Sequence, residues 1–339
     1  MYSKLKDYFG ATTISLFITM VLVFLLMYAL NGGRFVSSYN IGSMAYQMPI
    51  IGLLSVGMMY AMLTGGINLA IVSNANLNGM IIWIVLAWLT GDNMKEASVF
   101  QVALAILAGL IVSIAIGVLH GVLVAALRIP ALLVTLGTMT LIVGINVAVT
   151  RGYTISGFPD SLTSIGNGRI AGVVPIPIII FILGCIATAI ILNRTRFGFS
   201  LYMMGANETA AKYSGVNILK VTIFQYIASS VFASLTSLVM IGQLNSIKAN
   251  YVESYVLVAV LACFLGGIDP NGGFGKLSGV IIATVILQLI ASGLNLMRMD
   301  PFMITAMWGG IIIILIFGRA LWAATKRKLT PKVRPADGD

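Results

Sequence analysis

The sequence predicts an all-α, polytopic membrane helical bundle with about ten transmembrane helices. Three observations carry that prediction. Hydrophobic residues make up 59% of the 339 positions and charged residues only 9%, more apolar surface than a soluble core can hide. Apolar stretches recur along the whole chain at the length that crosses a hydrocarbon layer, roughly 20 helical residues. The runs do not alternate with polar residues, and backbone in lipid must pair within its own structure, so they read as helices rather than barrel strands.

Ten segments satisfy this pattern, at residues 11–30, 45–64, 66–89, 99–127, 130–150, 172–192, 217–243, 254–268, 277–297 and 302–323. The first is a retained anchor, because its apolar run exceeds a signal-peptide core and ALNGG offers no A-x-A cleavage site. The second and third meet at Gly65 and Gly66, and the short eighth ends at Gly266 and Gly267, so broken helical geometry is expected at these two glycine pairs. One transmembrane domain over 11–323 results, with a tail at 1–10, a polar loop at 193–220 and a basic tail at 324–339.

Charge sets the expected orientation. With both termini in the cytosol, only Arg34, Lys95, Arg151, Arg169, Lys248 and Arg298 of the 20 Lys and Arg residues lie outside, the asymmetry of the positive-inside rule. The net charge of +10 is therefore a topology signal, and its scatter over many loops argues against a nucleic-acid face. Cys185 and Cys263 sit in apolar runs without metal-ligand spacing and read as core residues. His120, the single histidine, reads as a polar side chain satisfied by a neighbouring helix, with a place in a permeation path as the alternative.

Missing groups narrow the energy source. All ten acidic residues fall in predicted loops, tails or span ends, whereas ion-driven carriers commonly bury a carboxylate near the midplane. Backbone carbonyls can coordinate sodium as well, so an ion-coupled carrier or a channel stays open as an alternative. The run GGFGKLSG from Gly272 to Gly279 resembles a phosphate loop, but Pro270 and Leu277 stand where that loop needs Gly and Ser or Thr. If ATP drives the protein, another chain binds it.

The polar segment NRTRFGFSLYMMGANETAAKYSGVNILK interrupts the hydrophobicity between two spans. Asn207 is a good N-cap, Glu208 puts a negative charge in the first turn, and Gly215 suits a left-handed C′ position. A helix of about two turns is expected, with a small face of Ala206, Ala210 and Ser214, and with Met203, Met204 and Tyr213 as apolar anchors for a partner's groove. A helix lying on lipid headgroups is the other reading.

Four runs in order, GLLSVGMMYAMLTGGINLA, GVLVAALRIPALLVTLGTMTLIVGI, TRFGFSLYMMGANETAAKYSGVN and FLGGIDPNGGFGKLSGVIIATVILQLIASGLNLM followed by PF, resemble the permease subunit of bacterial ABC importers of the ribose/xylose type from about Gly52 to Arg319. The resemblance implies a type II importer fold in the bacterial inner membrane. It also implies two permeases, two ATPase subunits carrying ATP and Mg, and a periplasmic sugar-binding protein, with no cofactor and no catalytic residue on this chain. The loop matching Gly205 to Gly215 would supply the ATPase-coupling helix, and within it Gly205, Asn207, Glu208, Ala210, Ala211, Ser214 and Gly215 are the expected site residues.

The chain departs from the family pattern GGIDLSVGS with GGINLAIVS, placing Asn68 for the acid, Ala70 for Ser and Val72 for Gly, and His120 stands where Asn is frequent. Pairing with a second copy and pairing with a homologous permease both remain open. GGINLAIVSNANLNGMII from Gly65 is echoed by GGIDPNGGFGKLSGVII from Gly266, which draws attention to both glycine pairs. Asn68, Ser73, Asn74, Asn76 and Asn78 form a neutral polar tract suited to a hydroxyl-rich, uncharged solute, so they are the expected substrate pathway, with helix glue as the alternative. The expected function is a membrane subunit importing a pentose or related monosaccharide, and a nucleoside or furanose-signal importer is the nearest alternative.

Overall fold

A computed structural model of the protein describes residues 2–91 and 93–329; Asp92 and residues 330–339 of the expected basic tail lie outside the described residues. In chain order the helices are α1 (Tyr2–Asn31), α2 (Ser38–Met62), α3 (Ile71–Thr90), α4 (Val99–Ala125), α5 (Ala131–Thr150), α6 (Asp160–Asn167), α7 (Ile176–Arg194), α8 (Arg196–Ala206), α9 (Glu208–Tyr213), α10 (Ile218–Leu244), α11 (Tyr255–Leu265), α12 (Leu277–Leu296) and α13 (Pro301–Leu329). Each of the ten predicted segments overlaps one of these helices. Among the described residues, eight helices are long and apolar enough to cross a membrane; α11 is too short, and α13 is apolar over Pro301–Ile314.

Local chemistry explains the boundaries. Ser37 accepts from the Asn40 N–H to cap α2, and Ser98 with Gln101 closes a reciprocal capping box on α4. Pro130 and Pro175 stand immediately before α5 and α7, where a missing N–H costs nothing. The sixth segment therefore starts later than 172: β2 (Arg169–Ile170) and β3 (Val174–Pro175) pair antiparallel as a small hairpin, and the helix begins only at Ile176.

The eighth segment also differs from expectation. Its helix covers eleven residues, Tyr255–Leu265, and an irregular stretch leads into it from β4 (Ser246–Ile247), which pairs with β1 (Ile155–Ser156). Backbone that is not helical needs partners in an apolar interior. Asn76 Nδ2 supplies them, donating to the carbonyls of Ala249 at 3.3 Å and Tyr251 at 3.0 Å.

Helices α2 and α10 form the centre. Every residue from Pro49 to Leu63 is buried, so α2 is covered on all sides, chiefly by α7, α10, α11 and α12. Helix α10 is wrapped by α2, α3, α4 and α6. The peripheral helices α1, α4, α5 and α7 turn Phe17, Leu107, Leu141 and Ile186 outward, as a lipid-facing surface requires. The bundle has two distinct ends. One carries α6 and the four short strands and is called the strand end; the other carries α8 and α9 and is called the α9 end.

Candidate functional site: the α9 end and the polar seam

The polar segment between α7 and α10 folds as two helices. Thr195 caps α8 by accepting from the Gly198 N–H at 3.2 Å, and α8 then lies on the core through Leu201 and Met204. The Tyr202 hydroxyl donates to the Gly275 carbonyl at 2.9 Å, and burial raises its pKa, which keeps the donor proton in place. Met204 is buried with its sulfur 3.8 Å from Thr222 Oγ1, and Met203 packs partly buried on the same core. Met204 is not free to anchor a partner, because α8 turns Leu201 and Met204 into the protein while Phe199 faces outward.

Helix α9 has six residues, close to the two turns expected. Asn207 Oδ1 accepts from the Ala210 N–H at 2.9 Å, Glu208 occupies the first turn, and Lys212 the last. Gly215 takes φ +85°, and the Val216 N–H closes the turn on the Ala211 carbonyl at 3.0 Å. Glu208, Thr209, Ala210, Lys212, Tyr213 and Ser214 are exposed, Tyr213 to 89%. Ala211 is buried against the core, so among the expected site residues it roots the helix rather than faces outward. Gly205 belongs to the end of α8 and is half-buried.

Beside α9 a cleft of about 970 Å³ opens between the α4–α5 turn and the start of α10. Arg128, Glu208, Lys212 and Asn217 stand among its lining residues, as do Gln225 and Tyr226. Gln225 Oε1 and the Tyr226 hydroxyl are buried without a hydrogen-bond partner. His120 lies under Tyr226, ring edge to ring face at 5.6 Å, with Nε2 2.7 Å from Thr138 Oγ1 on α5. Nε2 is thus paired across helices, while Nδ1 is buried without a hydrogen-bond partner.

The asparagine tract makes a polar seam. Asn68 Nδ2 donates to Ser229 Oγ at 2.9 Å while its Oδ1 accepts from the Ala70 N–H. Asn74 Nδ2 donates to Ser230 Oγ at 3.1 Å, its Oδ1 accepts from Ser113 Oγ at 3.1 Å, and Asn78 Nδ2 donates to Ser234 Oγ at 2.8 Å. Ser73 bonds within its own helix start, to the Ala70 carbonyl. All five expected pathway residues are at most 3% exposed; Asn68, Asn74 and Asn78 bond to serines of α10 and α4, and Asn76 to the backbone ahead of α11. Asn76 and Asn78 each keep an Oδ1 without a partner.

The partner stripes escaped sequence reasoning although their spacing was visible. Gly109, Ser113, Gly117 and Gly121 recur every fourth residue on α4, and Ser230, Ser234 and Ser237 share a face of α10. A Cβ on Gly117 would lie 2.6 Å from Ser230 Oγ and 2.7 Å from the Tyr226 carbonyl oxygen. Small residues let these helices touch at their backbones.

Cys185 and Cys263 are both buried and unpaired, as core residues should be. Among the residues whose burial the structure describes no Asp, Glu, Lys or Arg is buried, and among the described residues no three His, Cys, Asp or Glu side chains gather as a metal site would need. Among the described residues, buried polarity is carried by amides, hydroxyls and the His120 imidazole.

Comparison with known proteins gives this arrangement a context. The ribose import permease protein of Bacillus subtilis (strain 168) is 29% identical over 310 residues, covering 89% of this chain and 90% of its own. The galactose/methyl galactoside import permease protein of Salmonella typhimurium (strain LT2) is 29% identical over 317 residues, 91% of this chain and 94% of the relative. An autoinducer 2 import system permease protein of Yersinia enterocolitica is 30% identical over 315 residues, 92% and 84% of the two chains. No solved structure matches the chain. Residues 40–318 match the family described as branched-chain amino acid transport system / permease component, and the chain belongs to that family of membrane permeases.

Proposed function

We propose that the chain is the permease subunit of an ATP-binding cassette importer in the bacterial inner membrane, translocating a small, uncharged sugar with energy supplied by partner ATPase subunits that carry ATP and Mg. The observation that carries this reading is the likeness, over about nine-tenths of the chain, to permeases named for ribose and for galactose import. The interior supports it: amides and hydroxyls without a buried charge suit a solute that donates and accepts hydrogen bonds but carries no ion.

In this reading both termini and α9 face the cytosol, as the distribution of Lys and Arg supports. The ATPase grips the exposed side of α9, with Tyr213 as its apolar anchor and Glu208, Ala210 and Ser214 around it, while Asn207 and Gly215 shape the helix and Ala211 fixes it to the core. A second permease, the same or homologous, and a periplasmic sugar-binding protein complete the assembly. The asparagine tract acts on transport through the position of α3 against α10.

The test is uptake of labelled ribose and galactose into sealed proteoliposomes holding the assembled complex, with ATP on the ATPase side. Uptake should require ATP and the binding protein, and Tyr213→Ala or Glu208→Arg should release the ATPase during purification. Uptake that persists without ATP and collapses with an ionophore would replace this reading with an ion-coupled carrier.

A further inference from the structure

At the α9 end, three stretches far apart in sequence meet chiefly through main-chain atoms. The end of α8 contributes Gly205 and Ala206, the turn after α2 contributes Leu63 to Gly65, and the loop between α11 and α12 contributes Asn271 to Gly275. A Cβ on Gly205 would overlap both the Leu63 carbonyl oxygen and the Gly273 nitrogen. One on Gly273 would sit 2.6 Å from Ala206 Cα, one on Gly272 2.6 Å from the Gly65 nitrogen, and one on Gly65 2.9 Å from the Asn271 carbonyl oxygen. Real Cβ atoms do not approach backbone so closely.

Hydrogen bonds fasten the same junction. The Gly273 N–H donates to the Leu63 carbonyl at 2.8 Å, and Tyr202 on α8 holds the Gly275 carbonyl. The third stretch is itself closed: Asp269 Oδ1 accepts from the Asn271 N–H at 2.8 Å, and the Gly272 N–H donates to the Asp269 carbonyl at 3.0 Å. Side chains in contact can absorb a displacement by changing rotamer, but touching backbones have no such slack.

We propose that Gly205, Gly65, Gly272 and Gly273 form a rigid linkage that carries any movement of α9 directly into the α2–α3 and α11–α12 turns. The linkage rests on the reading of α9 as the ATPase contact. It explains why the two glycine-broken turns, which echo one another in sequence, lie together under α8. The α2–α3 turn leads straight into the polar seam of α3, and the α11–α12 loop leads into α12, so a single push at α9 reaches both halves of the bundle. The four glycines are positioning residues: none touches ATP or solute.

Two measurements on the assembled complex test the proposal. Gly205→Ala should retain the ATPase and its hydrolysis while solute moved per ATP falls roughly tenfold, within the usual span of coupling effects. An unchanged ratio overturns the linkage. Should Gly205→Ala fail to assemble, hydrogen exchange on the native complex decides: the Gly273 amide should stay protected both without nucleotide and in the ATP-trapped state, and loss of protection in either state overturns the proposal. Tyr213→Ala separates the two readings, because it should weaken ATPase binding while leaving Gly273 protected. ATPase retention at the level of the unmodified complex would defeat the docking role of α9 and leave the exchange result readable.

Discussion

Both ends of the bundle use glycine to bring backbones together, but they close in different ways. At the strand end, Gly166 of α6 meets Gly242 of α10, and a Cβ on either would overlap the other's main chain. Around that contact Phe158, Leu162, Met80, Leu86, Ile241 and Ile247 form a buried apolar cluster. At the α9 end the glycine junction backs onto the central core through Leu63, Leu201, Met204 and Ala211, but its outer side stays open: α9 stands exposed beside a cleft, and the glycines bring three turns into main-chain contact. An end sealed by side-chain burial resists movement through hydrophobic energy. An end whose turns touch backbone to backbone beneath an exposed helix moves as one piece, which suits the place where an external motor acts.

That contrast can be broken or sharpened by substitution, and the largest effect belongs to the strand end. Phe158→Ala removes a ring that is 2% exposed and should cost about 3–5 kcal/mol, read as a lower unfolding temperature in detergent. Gly242→Val forces a side chain into the Gly166 backbone and should cost about 1–3 kcal/mol in the same assay. If either variant left stability intact, the strand end would not be the sealed one.

The seam between the two ends comes next. Asn74→Ala strips partners from Ser113 and Ser230 and should cost about 1–2 kcal/mol, because interhelical hydrogen bonds in membranes are individually modest. Asn207→Ala, which removes the α9 cap, should cost about 1 kcal/mol locally, seen as faster proteolysis or hydrogen exchange of residues 207–215 with the unfolding temperature of the bundle nearly unchanged. Gly33→Ala is the baseline, since a Cβ there meets nothing within 4 Å and should move stability by no more than about 0.5 kcal/mol. A cap variant that lowered the unfolding temperature as far as Phe158→Ala would show that α9 supports the bundle rather than projects from it.

Much of the fold was legible from local signals. The apolar runs located the ten principal helices, Asn207 and Gly215 marked the two limits of α9, and the glycine pairs marked the breaks at 65–66 and 266–267. Other features were hidden for identifiable reasons. The methionines of α8 look like exposed anchors in sequence because a polar, basic setting surrounds them, yet the helix lies down on the core and buries Met204. The partners of the asparagines were hidden too, because the serines of α10 and α4 that Asn68, Asn74 and Asn78 meet lie 39 to 161 residues away in sequence. The α6 helix and the four two-residue strands carry too little apolar length to register as spans, so the strand end was invisible as a structural unit.

The sequence by itself determined that this is a helical membrane permease, where its helices run and where one short polar helix is capped, because hydrophobic length, charge asymmetry and capping chemistry act over a few turns of chain. Only the tertiary structure decided which polar residues bind helices together and which glycines touch. Those outcomes depend on backbone meeting backbone between segments remote in sequence: Gly205 looks like any other glycine until Leu63 and Gly273 are placed against it.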